Sequence, residues 1–501
     1  MTNDRETIPG REVPSPTGIS TQTLRGTFYT GISTTVTMTL GLFRSIVMAR
    51  LLVPEHFGTV ALAFFFINLV TRLRGFALES AFIHLQDQST TTRNSLFTAR
   101  LALEILKVAV IAALLPLLRV LYPQMGALPA VTAALTLTYA VAGVTLVPET
   151  ILRKDLEFRP LAVIEVASSA AMTLAGPLAA WAGWGVWALV MEHASGISVR
   201  ALLAWGPYRT WTPVLTLAPA IARIFWDYGK PSWVQSNLNY LWSSFGNLWT
   251  GTRLGDTALG YLSRAWYFGE SQRRVFGTPL VGVFGPVFAQ IHTDRRRLSR
   301  AFEHAVRLLL RVCCAGGGLL VVCMPEFIHF VLGTQWIPML WTFRALILYS
   351  VMVPVLDLAQ SLLMAAGKPQ ATKRVAIAET LFFVPMTVIA VELSGVTGVA
   401  LAASGTTIVA CLTVWGHLRR LVDFSPWRLV GWPVLSLMLA CSAAFSIELV
   451  RNDIAVTTLI LKAASFAAVY SAMLLVREGR TYIGTGREIW SILRQSQAHH
   501  E

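Results

Sequence analysis

Long apolar runs without charge alternate with short polar segments along almost the whole chain. Gly126–Pro148, Val166–Met191, Leu393–His417 and Leu429–Ile447 contain no Asp, Glu, Lys or Arg. A helix that crosses the hydrocarbon core needs roughly 20 apolar residues. Val166–Met191 continues with little charge to Gly206, so it holds two helices, with a turn at Trp181–Gly185. Polar runs, Pro and Gly divide the rest similarly. The predicted spans are 26–48, 57–80, 96–118, 127–150, 160–181, 185–205, 231–251, 256–278, 303–324, 338–364, 372–391, 394–416, 429–449 and 455–476. The pattern predicts an all-α polytopic membrane protein of about 14 transmembrane helices.

Composition agrees. The 501 residues are 54% hydrophobic and 14% charged, against about 25% charged in a soluble domain. A mean hydropathy of +0.58 leaves no room for a large soluble catalytic domain. Residues 1–25 are polar and rich in Ser, Thr and Pro, without the apolar core of a signal peptide, and read as a disordered cytoplasmic tail. Residues 477–501 read as a C-terminal cytoplasmic tail. The cysteines (Cys313, Cys314, Cys323, Cys411, Cys441) lie in apolar segments without CxxC spacing, so neither metal nor disulfide is expected. Nothing in the sequence calls for a cofactor.

The net charge of +14 has a topological origin. With the N-terminus inside, the inner loops hold Arg93, Arg153, Lys154, Arg159, Lys230, Arg273, Arg295, Arg296, Arg297, Lys368, Arg419 and others. The outer loops hold Arg50, Arg119, Arg253 and Arg451. This positive-inside bias places both termini in the cytoplasm and supports an even helix count. The basic surface suits anionic inner-leaflet lipid; nucleic acid is not an expected partner.

An internal repeat organises the spans. Lys154–Thr173 aligns with Lys368–Thr387 without gaps, matching Glu165 to Glu379 and Thr173 to Thr387. Gly185–Leu189 meets Gly398–Leu401, Arg50-Leu51 meets Arg253-Leu254, Gly58 meets Gly260, and Phe82 meets Phe288. A unit of six helices makes the repeats parallel, related by an axis along the membrane normal. The expected domains are an N-lobe (26–205), an interfacial linker (206–230), a C-lobe (231–420) and two further helices (421–476), with a cleft between the lobes.

Four stretches carry a family resemblance: Ala49–Gly58 (ARLLVPEHFG), Ile151–Arg159 (ILRKDLEFR), Gly260–Ala265 (GYLSRA) and Gly333–Trp336 (GTQW). In these the chain resembles the oligosaccharide-lipid and polysaccharide flippases of the multidrug/oligosaccharidyl-lipid/polysaccharide exporter superfamily. The resemblance covers roughly residues 26–420. It implies fourteen helices, alternating access and an undecaprenyl-diphosphate-linked oligosaccharide as substrate. It also implies an inner-membrane location, and work beside a polysaccharide polymerase and export machinery. One stretch departs from the pattern: Ala81–Asp87 has His84 where the family often has a Lys or Arg.

A diphosphate substrate needs cations in a hydrated cleft, and intramembrane charges are site candidates by default. The resemblance places helices 1 and 8 on the cleft, which selects Arg44 and Arg264. Arg344 and the repeat mates Lys107 and Arg311 are the other intraspan cations, although Glu104 three residues before Lys107 offers it a plain ion pair. Asn239 and Asn247, on an amide- and aromatic-rich helix face, suit sugar hydroxyls or interhelical packing. Asp357, Glu165 and Glu379 are the candidates for coupling to H+ or Na+. Arg159 and Arg374 offer ion pairs to the two glutamates, whereas Asp357 has no basic residue near it in sequence.

Several motifs are missing. There is no Walker A (Gly367-Lys368 is followed by Pro369), no HExxH, and no outer loop long enough for a glycosyltransferase or polymerase face. No catalytic residue is therefore expected. The competing expectation is a cation-coupled drug or metabolite antiporter of the same superfamily; an acid-dominated cleft would favour it.

Overall fold

A computed structural model describes residues 16–73, 78–85, 87, 89–271, 273–425, 427–451 and 454–476. Among them every regular element is helical. The helices are α1 (Pro16–Leu51), α2 (Pro54–Leu73), α3 (Leu78–His84), α4 (Thr90–Leu121), α5 (Leu128–Lys154), α6 (Phe158–Trp181), α7 (Val186–Trp205), α8 (Pro219–Gly269), α9 (Thr278–Ile291), α10 (Arg295–Phe327), α11 (Met339–Ala345), α12 (Ile347–Ala365), α13 (Pro369–Ser394), α14 (Val396–Leu418), α15 (Trp432–Arg451) and α16 (Val456–Val476).

Thirteen stretches of the described residues are long and apolar enough to cross a membrane, which makes this a multi-pass membrane protein. One of them, Ser244–Ile291, is 48 residues long. At about 1.5 Å per residue that is about 72 Å, more than twice a hydrocarbon core of about 30 Å. The run breaks at Gly255, whose φ of 86° and ψ of −174° are not helical. The break separates the helix that runs back to Pro219 from the one that leads on towards α9.

Several helices outrun their predicted spans. α4 and α10 begin at Thr90 and Arg295, in polar sequence, because side chains cap them there. Ser89 Oγ accepts from Thr92 N, and Asp294 accepts from the N–H groups of Arg296 and Arg297. α1 starts at Pro16, inside the segment expected to be a tail; residues 1–15 and 477–501 lie outside the described residues. Nor is the expected 206–230 linker uniform. Residues 206–218 form a largely extended strap, and α8 begins at Pro219.

The chain divides into two compact units. The first comprises residues 1–52 and 66–236, the second 53–65 and 237–501. In the first, α6 packs on α1 and α7, and α5 on α4 and α7. The strap is pinned to the start of α4. Asn94 Oδ1 accepts from Trp211 Nε1 (3.0 Å) and Val214 N (3.2 Å), Thr98 Oγ1 from Thr216 N (3.0 Å), and Ser95 Oγ from Ala218 N (3.1 Å). These bonds satisfy backbone groups that the extended strap cannot pair with itself. In the second unit, α9, α10, α12, α14, α15 and α16 share one apolar core.

The repeat is visible in the backbone. α7 and α14 are each preceded by a glycine in the same left-handed conformation, Gly185 (φ 55°, ψ −128°) and Gly395 (φ 57°, ψ −134°). This corrects the alignment read from sequence, which set Gly185 against Gly398. The turn after α6 is shorter in the second half, and Gly398 instead sits one turn inside α14, where a Cβ would overlap the Ala390 carbonyl. Phe82 and Phe288, matched from sequence, are both fully buried.

Candidate functional site

Three of the four family-like stretches meet in the second unit. Phe57, Tyr261 and Trp336 pack edge to face around the fully buried Trp336, with ring centroids 5.4 and 6.1 Å from it. Gly58 lies so close to the Asp256 carbonyl, and Gly260 to the Pro54 carbonyl, that a Cβ at either would overlap backbone. The two approaches are reciprocal, as expected of repeat mates. Thr257 Oγ1 donates to Glu55 (2.9 Å) at the same place. Arg264 belongs to this cluster, its guanidinium 4.3 Å from the Phe57 ring and 5.1 Å from Tyr267. An aromatic platform takes the face of a guanidinium rather than its N–H fork.

The fourth stretch organises the start of α4. Lys154 Nζ lies 4.1 Å over the Phe82 ring and donates to the carbonyls of Phe82 (2.9 Å), Leu85 (2.7 Å) and Asp87 (3.0 Å). It supplies from α5 the cation that Ala81–Asp87 lacks, and spends it on capping α3. Asp87 accepts from Ser89 N (2.8 Å) and Ser89 Oγ (2.9 Å), and also from Thr92 Oγ1. The Thr92 hydroxyl, then Ser89, hold its carboxyl below the usual aspartate range.

Arg44, Lys107 and Arg344 have carboxylate partners, and Asp357 has a cationic one. In the first unit Arg44 Nε lies 2.7 Å from Glu192 Oε1, and an Nη faces the Ser169 carbonyl (3.5 Å). Lys107, buried, pairs with Glu104 as its spacing suggests, and donates to the Tyr139 carbonyl (3.0 Å). Arg100 joins Glu104 (3.2 Å) to Glu79 (3.1 Å). Arg200 clamps the buried Glu149 with both fork nitrogens, one bond measuring 2.8 Å. Tyr139 Oη and His193 Nδ1 are 3.1 Å apart. Glu165 accepts from Ser33 Oγ (3.0 Å).

In the second unit Asp357, without a basic neighbour in sequence, has one in space: Arg273 Nε, 2.7 Å away. Arg273 also reaches Glu270 (3.7 Å). Arg344 sits between the Trp341 and Phe445 rings (5.3 and 4.8 Å) and 3.3 Å from Glu448. Glu448 is also 2.9 Å from Lys462, which lies 2.6 Å from Glu326; Lys462 and Glu326 are each 1% exposed. Arg311 and Glu379 are buried, Arg311 accepting from Tyr470 Oη through its carbonyl (3.0 Å). Asn247 is half-buried, and the side chain of Asn239 lies outside the described residues.

Within each unit the candidates fall into clusters. Arg44 and Lys107 join one polar network, Arg344 a second, Asp357 a third, and Arg264 the aromatic cluster. Lys462, Arg100, Arg200 and His193 are missing from the sequence short list, although each lies inside a span and carries the same signal as Arg44. Among the described residues no group of His, Cys, Asp and Glu could hold a metal ion.

Thirteen stretches long enough to cross a membrane, a repeat marked by Gly185 and Gly395, and a set of intraspan charges describe a polytopic membrane protein of the kind expected from the resemblance. Solved structures with this fold include the lipid II flippase MurJ in an inward closed conformation. It has a TM-score of 0.71 and 15% identity, and the match covers 92% of this chain and 100% of that one. An inward-facing MATE family multidrug transporter matches with a TM-score of 0.62 and 16% identity, over 76% of this chain and 94% of that one. The polysaccharide biosynthesis protein family matches residues 47–341, more than half of the chain, and the protein belongs to that family. It is 23% identical over 385 residues to the lipopolysaccharide biosynthesis protein WzxC of Escherichia coli (strain K12), spanning 76% of this chain and 77% of WzxC. It is 24% identical over 326 residues to the succinoglycan biosynthesis transport protein ExoT of Rhizobium meliloti (strain 1021), over 64% of this chain and 65% of ExoT.

Proposed function

We propose that the protein is a flippase that carries an undecaprenyl-diphosphate-linked oligosaccharide from the inner to the outer leaflet by alternating access, for assembly of a surface polysaccharide. The observation that carries the reading is the family membership, joined to the flippase fold. Arg44 and Arg264 are the residues assigned to the diphosphate, since a guanidinium fork matches phosphate oxygens. Arg344, Lys107 and Arg311 are supporting cations, and Asn239 and Asn247 are the residues assigned to the glycan. Glu165, Glu379 and Asp357 are the carriers assigned to a coupling ion. The protein forms no covalent intermediate and is a transporter, not an enzyme. It sits in the inner membrane with both termini cytoplasmic, and hands its cargo to a polymerase and export machinery.

The test is transport of a fluorescent prenyl-diphosphate sugar in proteoliposomes. The wild-type protein moves the lipid between leaflets, and the Arg44→Ala/Arg264→Ala double variant loses transport. Unchanged flipping in that variant overturns the site. Efflux of organic cations with no flipping of any prenyl-diphosphate sugar overturns the function in favour of an antiporter.

A further inference from the structure

The polar network of the first unit lies in helices that otherwise face lipid and apolar core. Its eight charged members are Arg44, Arg100, Lys107 and Arg200 against Glu79, Glu104, Glu149 and Glu192, joined in pairs. Four positive and four negative charges cancel. His193 stands outside this balance. It follows Glu192 on α7 and meets Tyr139 of α5, whose carbonyl receives Lys107 of α4. His193 adds an imidazole, a group that can both accept and donate a proton.

The second unit is a built-in control. Gly185 and Gly395 fix the register of α7 against α14, which sets Glu192 and His193 against Ala402 and Ala403, both buried. Counting from Pro16 and Pro219, the starts of α1 and α8, sets Arg44 against Asn247. Leu128–Lys154 and Met339–Ala365 are both 27 residues long, which sets Tyr139 against Ser350. The same helical frame is therefore built without Arg44, Tyr139, Glu192 or His193. Buried ion pairs are often replaceable by apolar groups without loss of stability, and intramembrane ions persist where they act.

We propose that Glu192 and His193 form a proton-binding site that decides whether Arg44 is held inside the protein or offered to a diphosphate. This rests on the flippase reading above. A proton from water forms an O–H bond on the Glu192 carboxylate. The neutral carboxyl no longer holds the guanidinium, and Arg44 takes the phosphate oxygens instead. Release of the diphosphate lets Glu192 lose its proton and reclaim Arg44. One proton enters for each diphosphate bound. Arg44 from α1 and Tyr139 from α5 meet this site, and Glu149 of α5, on Arg200, and Glu165 of α6, on Ser33, are the other carboxylates of the helices around it. Arg200 lies further along α7, and Lys107 and Glu104 of α4 adjoin through the Tyr139 carbonyl. Each of these charged groups has an opposite charge acting on it, Glu165 through Arg200.

The experiment is calorimetric titration of the purified full chain with farnesyl diphosphate, in two buffers of different ionisation heat near pH 7. Expected is a binding enthalpy that differs between buffers by the uptake of up to one proton. Glu192→Gln removes the uptake and tightens binding at alkaline pH by about tenfold, an ordinary coupling size. His193→Gln moves the uptake to lower pH, and keeps the test informative if Glu192→Gln does not fold. Arg44→Ala abolishes both binding and uptake. Binding with the same enthalpy in both buffers overturns the proton switch and leaves the flippase reading standing, as does uptake unchanged in both Glu192→Gln and His193→Gln. Failure of the wild-type protein to bind farnesyl diphosphate at any pH overturns the diphosphate assignment and the switch with it.

Discussion

Lys462 offers a sharp test of what holds α16 to the second unit. Its ammonium is 2.6 Å from Glu326 of α10 and 2.9 Å from Glu448 of α15, and Lys462 and Glu326 are each 1% exposed. Replacing it with methionine keeps the apolar stem and removes the charge. Glu448 retains Arg344 at 3.3 Å. Glu326 loses its ammonium, and its second oxygen has no hydrogen-bond partner in its buried position. Breaking a buried pair from one side costs about 3–5 kcal/mol, because the other charge stays desolvated. Removing both charges with Lys462→Met/Glu326→Gln leaves two uncharged side chains of similar size, and costs about 1 kcal/mol or less. The assay is unfolding in mixed micelles by a denaturing detergent, read by tryptophan fluorescence, for both single variants and the double. The expected signature is a coupling of about 2 kcal/mol or more, well above the additivity error of ~0.5 kcal/mol. A Lys462→Met variant within about 1 kcal/mol of wild type, or strictly additive singles, refutes the reasoning.

Three further outcomes are expected. Gly58→Val and Gly260→Val each force a side chain into a backbone carbonyl, so each lowers the yield of folded protein in detergent, whereas Gly31→Ala, with nothing within 4 Å, leaves it unchanged. Lys154→Met strips a donor from three carbonyls and costs about 2 kcal/mol of local stability, seen as faster hydrogen exchange over residues 78–87 with little change elsewhere. The carboxyl of Asp87 titrates below its unfolded-state value, so its contribution is present above the ordinary aspartate range and lost as pH falls through its depressed pKa. Exchange over residues 85–92 therefore stays flat from neutral pH to about 4 and accelerates below that relative to Asp87→Asn.

The crossings and the six-helix repeat were legible because both are written in short-range pattern: apolar run length, turn glycines and basic loops. Ion pairing was legible only where it is local, as for Lys107 and Glu104. Asp357 looked isolated because its partner Arg273 is 84 residues away, on an element that only helix packing brings near. Arg44 and Glu192 are separated by five helices, and Lys154 reaches α3 from the far end of α5. The Gly185 register was misread because sequence identity favoured Gly398, whereas the backbone requirement, a left-handed residue before the helix, is met by Gly395. The break at Gly255 was legible as the gap between two spans, and its positive φ supplies the reason.

The balance of charge within the first unit has an electrical consequence. A membrane potential does work on net charge, about 2.3 kcal/mol per elementary charge per 100 mV. The four cations and four carboxylates cancel and together carry none of that work, while Glu165 is a further intraspan carboxylate of this unit. Any dependence of transport on voltage then belongs to Glu165 and to what the protein picks up and releases, the cargo's phosphates and a proton.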